Sequence, residues 1–176
     1  MLTAADIREL FALLNRGLRE RGQRGEVGIV GGAVMCLVFN TRASTKDIDG
    51  IFEPAGIIRE VVASIAEEKG LAADWLNDAA KGFIAPGFER HSVLALSHLS
   101  VWAPEPKYML AMKCLSARWD SSDRDDVIFL LKLLEMKESK EVFAIIEKFY
   151  PKNIVPPKTK FFIEEVLEKI GQGQKI

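Results

Sequence analysis

The sequence has 176 residues, of which 48% are hydrophobic, and its formal net charge is −1. This length supports one domain with a sizeable core, and the near-neutral charge excludes a general attraction to nucleic acid, so any RNA contact has to come from a local patch. The N-terminus lacks the basic-then-apolar layout of a signal peptide, and no uncharged run reaches the length of a membrane span. These features predict a cytoplasmic protein without a membrane partner.

The first forty residues predict a helix, a strand and a second helix. Thr3 followed by Asp6 is typical of an N-cap, and apolar residues at helical spacing continue the pattern to an end near Gly22. Residues 26–30 predict a short buried strand. The segment 33–40 is apolar all round, which indicates a buried helix.

The middle of the chain mixes strand and helix patterns. Strands are predicted over 47–52, 90–96 and 98–102, and helices over 55–69 and around 74–81. Pro54 ends the first of these strands, and Gly70 is a plausible C-cap for the helix that follows. The two later strands alternate apolar and polar residues, as a half-buried hairpin does.

The last seventy residues predict only helices. They lie over about 105–118, from Ser121 or Ser122 to about Met136, over 139–149 and over 157–171. The expected fold class is therefore α+β, with a small mixed β-sheet packed by helices and an all-helical C-terminal part. We expect a core over residues 1–103 and a helical region over 104–176, together forming a single compact unit.

A glycine pair and two alternating carboxylates form the most informative pattern in the sequence. Gly31 and Gly32 follow a predicted strand and can bring backbone N–H groups close to a ligand such as phosphate. Asp47 and Asp49 are two residues apart, so on a strand both side chains point the same way. Two neighbouring carboxylates repel each other unless a cation lies between them, and Mg²⁺ with a nucleoside triphosphate meets that need.

Residues 31–52 resemble the glycine-pair and Asp-x-Asp signature of nucleotidyltransferases of the DNA polymerase beta type, most closely the prokaryotic branch of abortive-infection nucleotidyltransferase toxins. Residues 107–131 are similar to a second block of that branch, in which a helical Lys precedes an Asp-x-x-Asp-Leu pattern. The segment 73–79 also resembles an uncharacterised bacterial family of the same superfamily. The resemblance implies a nucleotidyltransferase fold and two-metal transfer of a nucleotide from a triphosphate.

The proposed site has catalytic and nucleotide-binding members. Asp47 and Asp49 are the expected Mg²⁺ ligands, and the resemblance implies that Lys113 contacts the triphosphate and that Asp126 acts as a base or orienter. The remaining members are expected to bind phosphate, through the backbone of Gly31 and Gly32 and through the side chains of Arg42 and Lys46, which could also contact a nucleic-acid backbone.

The implied function is Mg²⁺-dependent transfer of a nucleoside monophosphate to an RNA, such as tRNA, or to a protein hydroxyl. A toxin-antitoxin or phage-defence role would add a cognate antitoxin as a partner. Classical members carry a third acidic residue on a later strand, and here only Glu89 or Glu105, at the strand edges, could replace it. This gap keeps open a degenerate fold that binds nucleotide or a partner without chemistry, and a helical interaction module whose Asp pair is structural.

Other polar and aromatic residues have simpler interpretations. Asp123 and Asp125 fit the acidic first turn of a helix, and Asp126 could do the same. His91 and His98 lack a neighbouring ligand set, and the tryptophans are expected to pack in the core. Cys36 and Cys114 lie in apolar segments, which predicts reduced, buried thiols.

Overall fold

The computed structural model describes residues 1–116 and 122–172 and has the α+β fold that the sequence predicts, with an all-helical C-terminal part. The strands are β1 (Leu2–Thr3), β2 (Gly25–Ile29), β3 (Ser44–Thr45), β4 (Ile48–Glu53), β5 (Leu76–Asn77), β6 (Arg90–Ala95) and β7 (Leu99–Pro104). The α-helices are α1 (Ala4–Glu20), α2 (Gly31–Leu37), α3 (Ala55–Lys69), α4 (Pro106–Ser116), α5 (Ser122–Leu133), α6 (Ser139–Phe149) and α7 (Pro157–Gly171). Short 3₁₀ turns lie at Ala79–Phe83 and Lys152–Ile154.

The chain forms two compact units. The first unit consists of Met1–Ile84 and Arg90–Pro104, and the second consists of Ala85–Glu89 and the chain from Glu105. All strands belong to the first unit, whereas α4 to α7 belong to the second. The second unit is therefore not one continuous stretch of sequence.

A mixed five-stranded sheet forms the centre of the first unit, in the order β5, β4, β2, β7, β6. Strand β2 runs antiparallel to β4 and parallel to β7, so Gly28 pairs with Ile51 on one side and with Trp102 on the other. A separate antiparallel pair joins β1 to β3 and places Leu2 opposite Thr45. The central position of β2 means that residues of three strands meet around Gly28.

The two faces of this sheet differ in character. Val27, Ile29 and Val101 are almost fully buried on the face against which α1 and α3 pack. Because side chains alternate along a strand and directly paired residues share a face, the opposite face carries Asp49, Ile51 and Glu53 of β4, Glu26 of β2, Trp102 of β7 and Arg90 of β6. We call this opposite side the polar face.

Local cap signals in the sequence are confirmed. The Thr3 hydroxyl accepts a hydrogen bond from the Asp6 backbone N–H, and the Asp6 carboxylate accepts one from the Thr3 N–H at 2.8 Å, which completes a capping box. Gly70 ends α3 in the left-handed conformation, with φ of 64°. The predicted helices over 55–69, 139–149 and 157–171 and the hairpin strands also appear, within a few residues of the predicted bounds.

The helix predicted around residues 74–81 is wrong. That stretch contains β5 and the start of a 3₁₀ turn, because Ile48 N–H donates to the Trp75 carbonyl and continues the pairing of β4 with β5. The indole N–H of Trp75 donates to the Val62 carbonyl of α3, so this tryptophan is a packing residue as predicted. Ser121, a predicted N-cap, and Trp119, one of the tryptophans expected in the core, lie outside the described residues.

Helices α4, α5, α6 and α7 pack together in the second unit. The Tyr108 hydroxyl oxygen accepts hydrogen bonds from the Tyr150 hydroxyl at 3.2 Å and from the Ala85 backbone N–H at 2.8 Å. Burial raises the pKa of Tyr108 above its ordinary value. None of the helices in the described residues is both long and apolar enough to cross a membrane.

Both cysteines are buried and free of disulfides. Burial raises the pKa of the Cys114 thiol to about 12, and burial also raises the pKa of Cys36. Because the thiolate is the reactive form, we expect iodoacetamide at pH 8 to modify neither residue in the folded protein and both in denaturant, as mass spectrometry would measure. Fast modification of Cys36 or Cys114 without denaturant would contradict this burial.

Candidate functional site

Gly31 is placed directly beside the carboxylate of Asp49. It begins α2 immediately after β2 and Val30, and its φ of +63° lies in the left-handed region that disfavours other residues. A Cβ atom added at Gly31 would lie 3.3 Å from Asp49 Oδ2. The glycine therefore provides both an unusual backbone direction and an open approach to one carboxylate.

Gly32 is required for a different reason, which is close packing. A Cβ atom at this position would lie 2.5 Å from Thr45 Oγ1 and 3.6 Å from Arg42 Nη1. Thr45 is buried, and its hydroxyl donates to the Asp47 carbonyl oxygen at 3.1 Å. The structure thus brings Gly32, Thr45 and Arg42 together at the base of the loop that carries the Asp pair.

Asp47 and Asp49 flank Ile48 at the start of β4. Both aspartates are half-buried, whereas Ile48 is fully buried, as the sequence alternation predicts. The Val30 N–H donates to the Asp49 carbonyl at 2.9 Å, which fixes β4 against the end of β2. Two carboxylates therefore extend from one short, well-paired stretch of backbone.

The donor set suits a cation that also binds substrate oxygens. Among residues 1–116 and 122–172, no group of three or more His, Cys, Asp or Glu side chains is arranged to hold a metal ion. Mg²⁺ is commonly held by one or two carboxylates, with substrate phosphates and water completing its ligands. Asp47 and Asp49 match that requirement. Lys46, beside them, is exposed.

A second charged cluster lies within the second unit. Lys113 is buried in α4, and its Nζ lies 2.7 Å from Asp123 Oδ1 and 2.8 Å from Asp126 Oδ2. Asp126 is only 2% exposed. Lys113 therefore has two carboxylate partners from the following helix. Asp123, which the sequence suggested as a simple first-turn acid, is one of them.

Strand β7 has no carboxylate on the polar face, where Ser100, Trp102 and Pro104 alternate. Glu89 and Glu105, the two residues considered as substitutes, belong to the second unit, where the Glu89 N–H donates to Glu105 Oε1. The acidic side chain nearest in register to Trp102 is instead Glu26 of β2, whose Oε1 accepts the indole N–H at 2.8 Å.

The predicted site residues thus form two sets. Gly31, Gly32, Arg42, Asp47 and Asp49 lie close together in the first unit, and Lys113 and Asp126 pair within the second. Thr45 and Glu26 were not predicted from the sequence, and Asp123 was predicted only as a first-turn acid. The small β-branched residue just before the Asp pair was a signal for Thr45, because a buried hydroxyl there can bond the following carbonyl.

Comparison with known proteins identifies one family. The model of a family described as "Nucleotidyltransferase of unknown function (DUF6036)" matches residues 5–153, which include every site residue named above. No curated protein and no solved structure is significantly similar to the chain.

Proposed function

The chain belongs to this nucleotidyltransferase family, and we propose that it transfers a nucleoside monophosphate from a nucleoside triphosphate to a hydroxyl group of RNA, such as tRNA, or of a protein, with Mg²⁺ as cofactor. The observation that supports this most strongly is the left-handed Gly31 beside the Asp49 carboxylate, followed by Gly32, where an added Cβ atom would lie 3.6 Å from Arg42 Nη1. Backbone donors, carboxylates and a guanidinium at one place match the needs of a metal-bound triphosphate.

Each predicted site residue of the first unit would have a role in this reaction. The β- and γ-phosphates would lie against the backbone at Gly31 and Gly32, where the absence of side chains allows close approach. Arg42 and the exposed Lys46 would neutralise phosphate charge. Asp47 and Asp49 would hold Mg²⁺, which, when bound, supplies charge stabilisation to the attacking and leaving oxygens.

Lys113 and Asp126 are included as proposed catalytic residues. Lys113 is a donor with two of its three N–H bonds directed at Asp123 and Asp126. The remaining N–H of Lys113 would contact the triphosphate, and Asp126 would act as a base or orienter. The two carboxylates hold the Lys113 ammonium in a fixed place.

The decisive test compares label positions. In the presence of Mg²⁺, triphosphates labelled at the α-phosphate should transfer label to cellular RNA or protein, whereas γ-labelled triphosphates should release it as pyrophosphate. Transfer of the γ label would indicate phosphoryl transfer instead. If neither label is transferred to any extract fraction, nucleotidyl transfer by this protein is excluded.

A toxin-antitoxin or phage-defence role is a further part of the proposal. Expression of the unaltered chain should then slow bacterial growth, while an Asp49→Asn variant should not, and a cognate antitoxin should restore growth. Equal toxicity of both proteins would point away from transfer as the cause.

A second candidate function is nucleotide or partner binding without chemistry, and the lack of a carboxylate on the polar face of β7 favours it. For this candidate, triphosphate would raise the melting temperature by ligand linkage while no label is transferred. Mg²⁺-dependent turnover would remove it.

Replacing Gly31 by alanine should weaken triphosphate binding. Gly31 and Gly70 have nearly equal φ values of 63° and 64°, so alanine at either position should cost roughly 1–2 kcal/mol of folding stability. Only Gly31 lies beside Asp49, whereas Gly70 has open space around it. Calorimetric titration should therefore show a loss of affinity in Gly31→Ala and unchanged affinity in Gly70→Ala. Equal affinities in the two variants would argue against a phosphate site at the glycine pair.

A further inference from the structure

A cleft of about 290 Å³ opens within the first unit, on the polar face of the sheet. Its lining combines apolar, acidic and basic side chains, among them Glu26, Ile51, Glu53, Lys81, Arg90 and Trp102. Ile51 is two residues from Asp49 on the same side of β4, so the cleft begins about 7 Å along the strand from Asp49. None of the residues proposed to bind the triphosphate lines it.

A planar stack forms one wall of the cleft. The Trp102 indole lies directly on the backbone of β2, because a Cβ atom at Gly28 would be only 2.1 Å from its Cζ2. The Arg90 guanidinium lies over the same indole, with Cζ 4.3 Å from the ring centroid. The Arg90 side chain is 55% exposed, so a guanidinium plane supported from one side faces the solvent.

Glu26 fixes the orientation of this stack. Its Oε1 accepts the Trp102 indole N–H at 2.8 Å and an Arg90 Nη1 hydrogen at 3.0 Å. Trp102 itself is only 6% exposed and cannot turn away from β2. The guanidinium is thus preorganised, which reduces the entropy that a ligand stacked on it would have to overcome.

The position of the cleft suits the acceptor rather than the triphosphate. Thr45 lies beside Gly32. The chain then continues through Asp47 and Asp49 to Ile51 at the cleft. The two carboxylates therefore lie between the glycine pair and the cleft. In an in-line displacement the attacking hydroxyl approaches the phosphorus opposite the leaving pyrophosphate. With the β- and γ-phosphates at the glycine pair, the hydroxyl must come from the cleft side.

We infer that this cleft binds the terminal nucleotide of an RNA acceptor, with its base stacked on Arg90. The inference rests on the proposed function. A terminal ribose hydroxyl would attack the α-phosphorus and form a new P–O bond, while the bond to the bridging oxygen breaks, pyrophosphate leaves and the hydroxyl proton is released to solvent. The product is an RNA longer by one nucleotide.

The chemistry of the lining favours a nucleotide over a protein side chain. Nucleobases stack on guanidinium planes and aromatic rings, whereas a serine or threonine side chain has no planar group that could stack there. Glu53 is exposed and lines the cleft, so its carboxylate can accept from base N–H groups. Lys81 is exposed at the cleft and can contact the phosphate that precedes the terminal nucleotide.

The first experiment measures binding of the RNA end alone. A 5′-fluorescein-labelled single-stranded RNA trinucleotide with a free 3′ end should bind Arg90→Lys roughly tenfold more weakly than the unaltered protein, because lysine keeps the charge but loses the plane. Arg59→Lys is the matched control. Arg59 also lies over an aromatic ring, 5.7 Å from the Phe52 centroid, and pairs with Asp78, but it does not line the cleft.

Fluorescence anisotropy without triphosphate should show the loss in Arg90→Lys only. Unchanged affinity in Arg90→Lys, or equal losses in both variants, would overturn the assignment.

The second experiment separates this inference from the proposed function. In the transfer assay, Arg90→Lys should raise KM for RNA more than KM for the triphosphate. Labelling of protein that is insensitive to added RNA would overturn the RNA assignment in favour of a protein acceptor. Arg90-dependent RNA binding without any transfer by the unaltered protein would support the cleft while excluding the enzymatic proposal.

Discussion

Replacing Asp49 by asparagine should lower nucleotide transfer by a factor on the order of a hundred or more, as removal of a preorganised charge-stabilising group does in other enzymes. The substitution keeps the shape of the side chain but removes the negative charge that would hold Mg²⁺. Asp49 is half-buried, so the melting temperature of Asp49→Asn should be measured alongside, to show that the fold is retained.

Asp74→Asn provides the control, since Asp74 is an exposed acid of the same unit. Its transfer rate should equal that of the unaltered protein. Chelation of Mg²⁺ by EDTA should abolish transfer by the unaltered protein and by Asp74→Asn, and added Mg²⁺ should restore it. Full transfer by Asp49→Asn, with a normal dependence on Mg²⁺, would remove the Asp pair from the proposed mechanism.

Replacing Lys113 by methionine should strongly destabilise the second unit. The change would leave Asp126, which is only 2% exposed, and Asp123 without their shared cation. Breaking a buried ion pair in this way costs about 3–5 kcal/mol. For a protein of this size, the melting temperature should fall by roughly 6–20 °C, as calorimetry would measure.

Two further variants identify the cause of that loss. Lys132→Met removes an exposed lysine of α5 and should leave the melting temperature unchanged. Adding Asp126→Asn to Lys113→Met removes the buried charge and should recover much of the lost stability. If Lys113→Met melts like the unaltered protein, Asp126 is compensated by some other group and the buried ion cluster is not what stabilises the helices.

Sequence patterns predict those parts of the fold in which local chemistry decides the structure. The Thr3 and Asp6 capping box, the Gly70 cap and the alternation around Ile48 each involve residues within a few positions of one another. The glycine pair is also locally encoded, since the left-handed backbone of Gly31 restricts that position to glycine whatever the tertiary context.

Features that depend on strand register are not visible in the sequence. Glu26, Arg90 and Trp102 are separated by up to 76 residues, and only the pairing of β2 with β7 and of β7 with β6 brings them together. Strand β5 has two residues, too few for any alternation to be seen, and neighbouring apolar residues imitate helical spacing. A glycine within a strand, such as Gly28, suggests that another group packs closely on the backbone. The neighbouring sequence does not indicate that this group is Trp102.

The partners of Lys113 also could not be identified from the sequence alone. The apolar neighbours of Lys113 on its helix indicate either a cavity or a buried partner, and only the geometry of α5 against α4 shows that Asp123 and Asp126 are both partners. Acidic residues in a helix first turn fit the dipole in any protein, so the simplest interpretation of Asp123 was also the incomplete one.

The five residues Ala85–Glu89 give the chain an interleaved connectivity. The polypeptide passes from one unit to the other three times, after Ile84, after Glu89 and after Pro104. A fragment that ends at Pro104 would therefore contain Phe88 but lack Tyr108, although the two rings pack together in the second unit with their centroids 4.2 Å apart. Neither half is a self-contained segment that could be exchanged between genes by a single crossover, so the two units are expected to be inherited together.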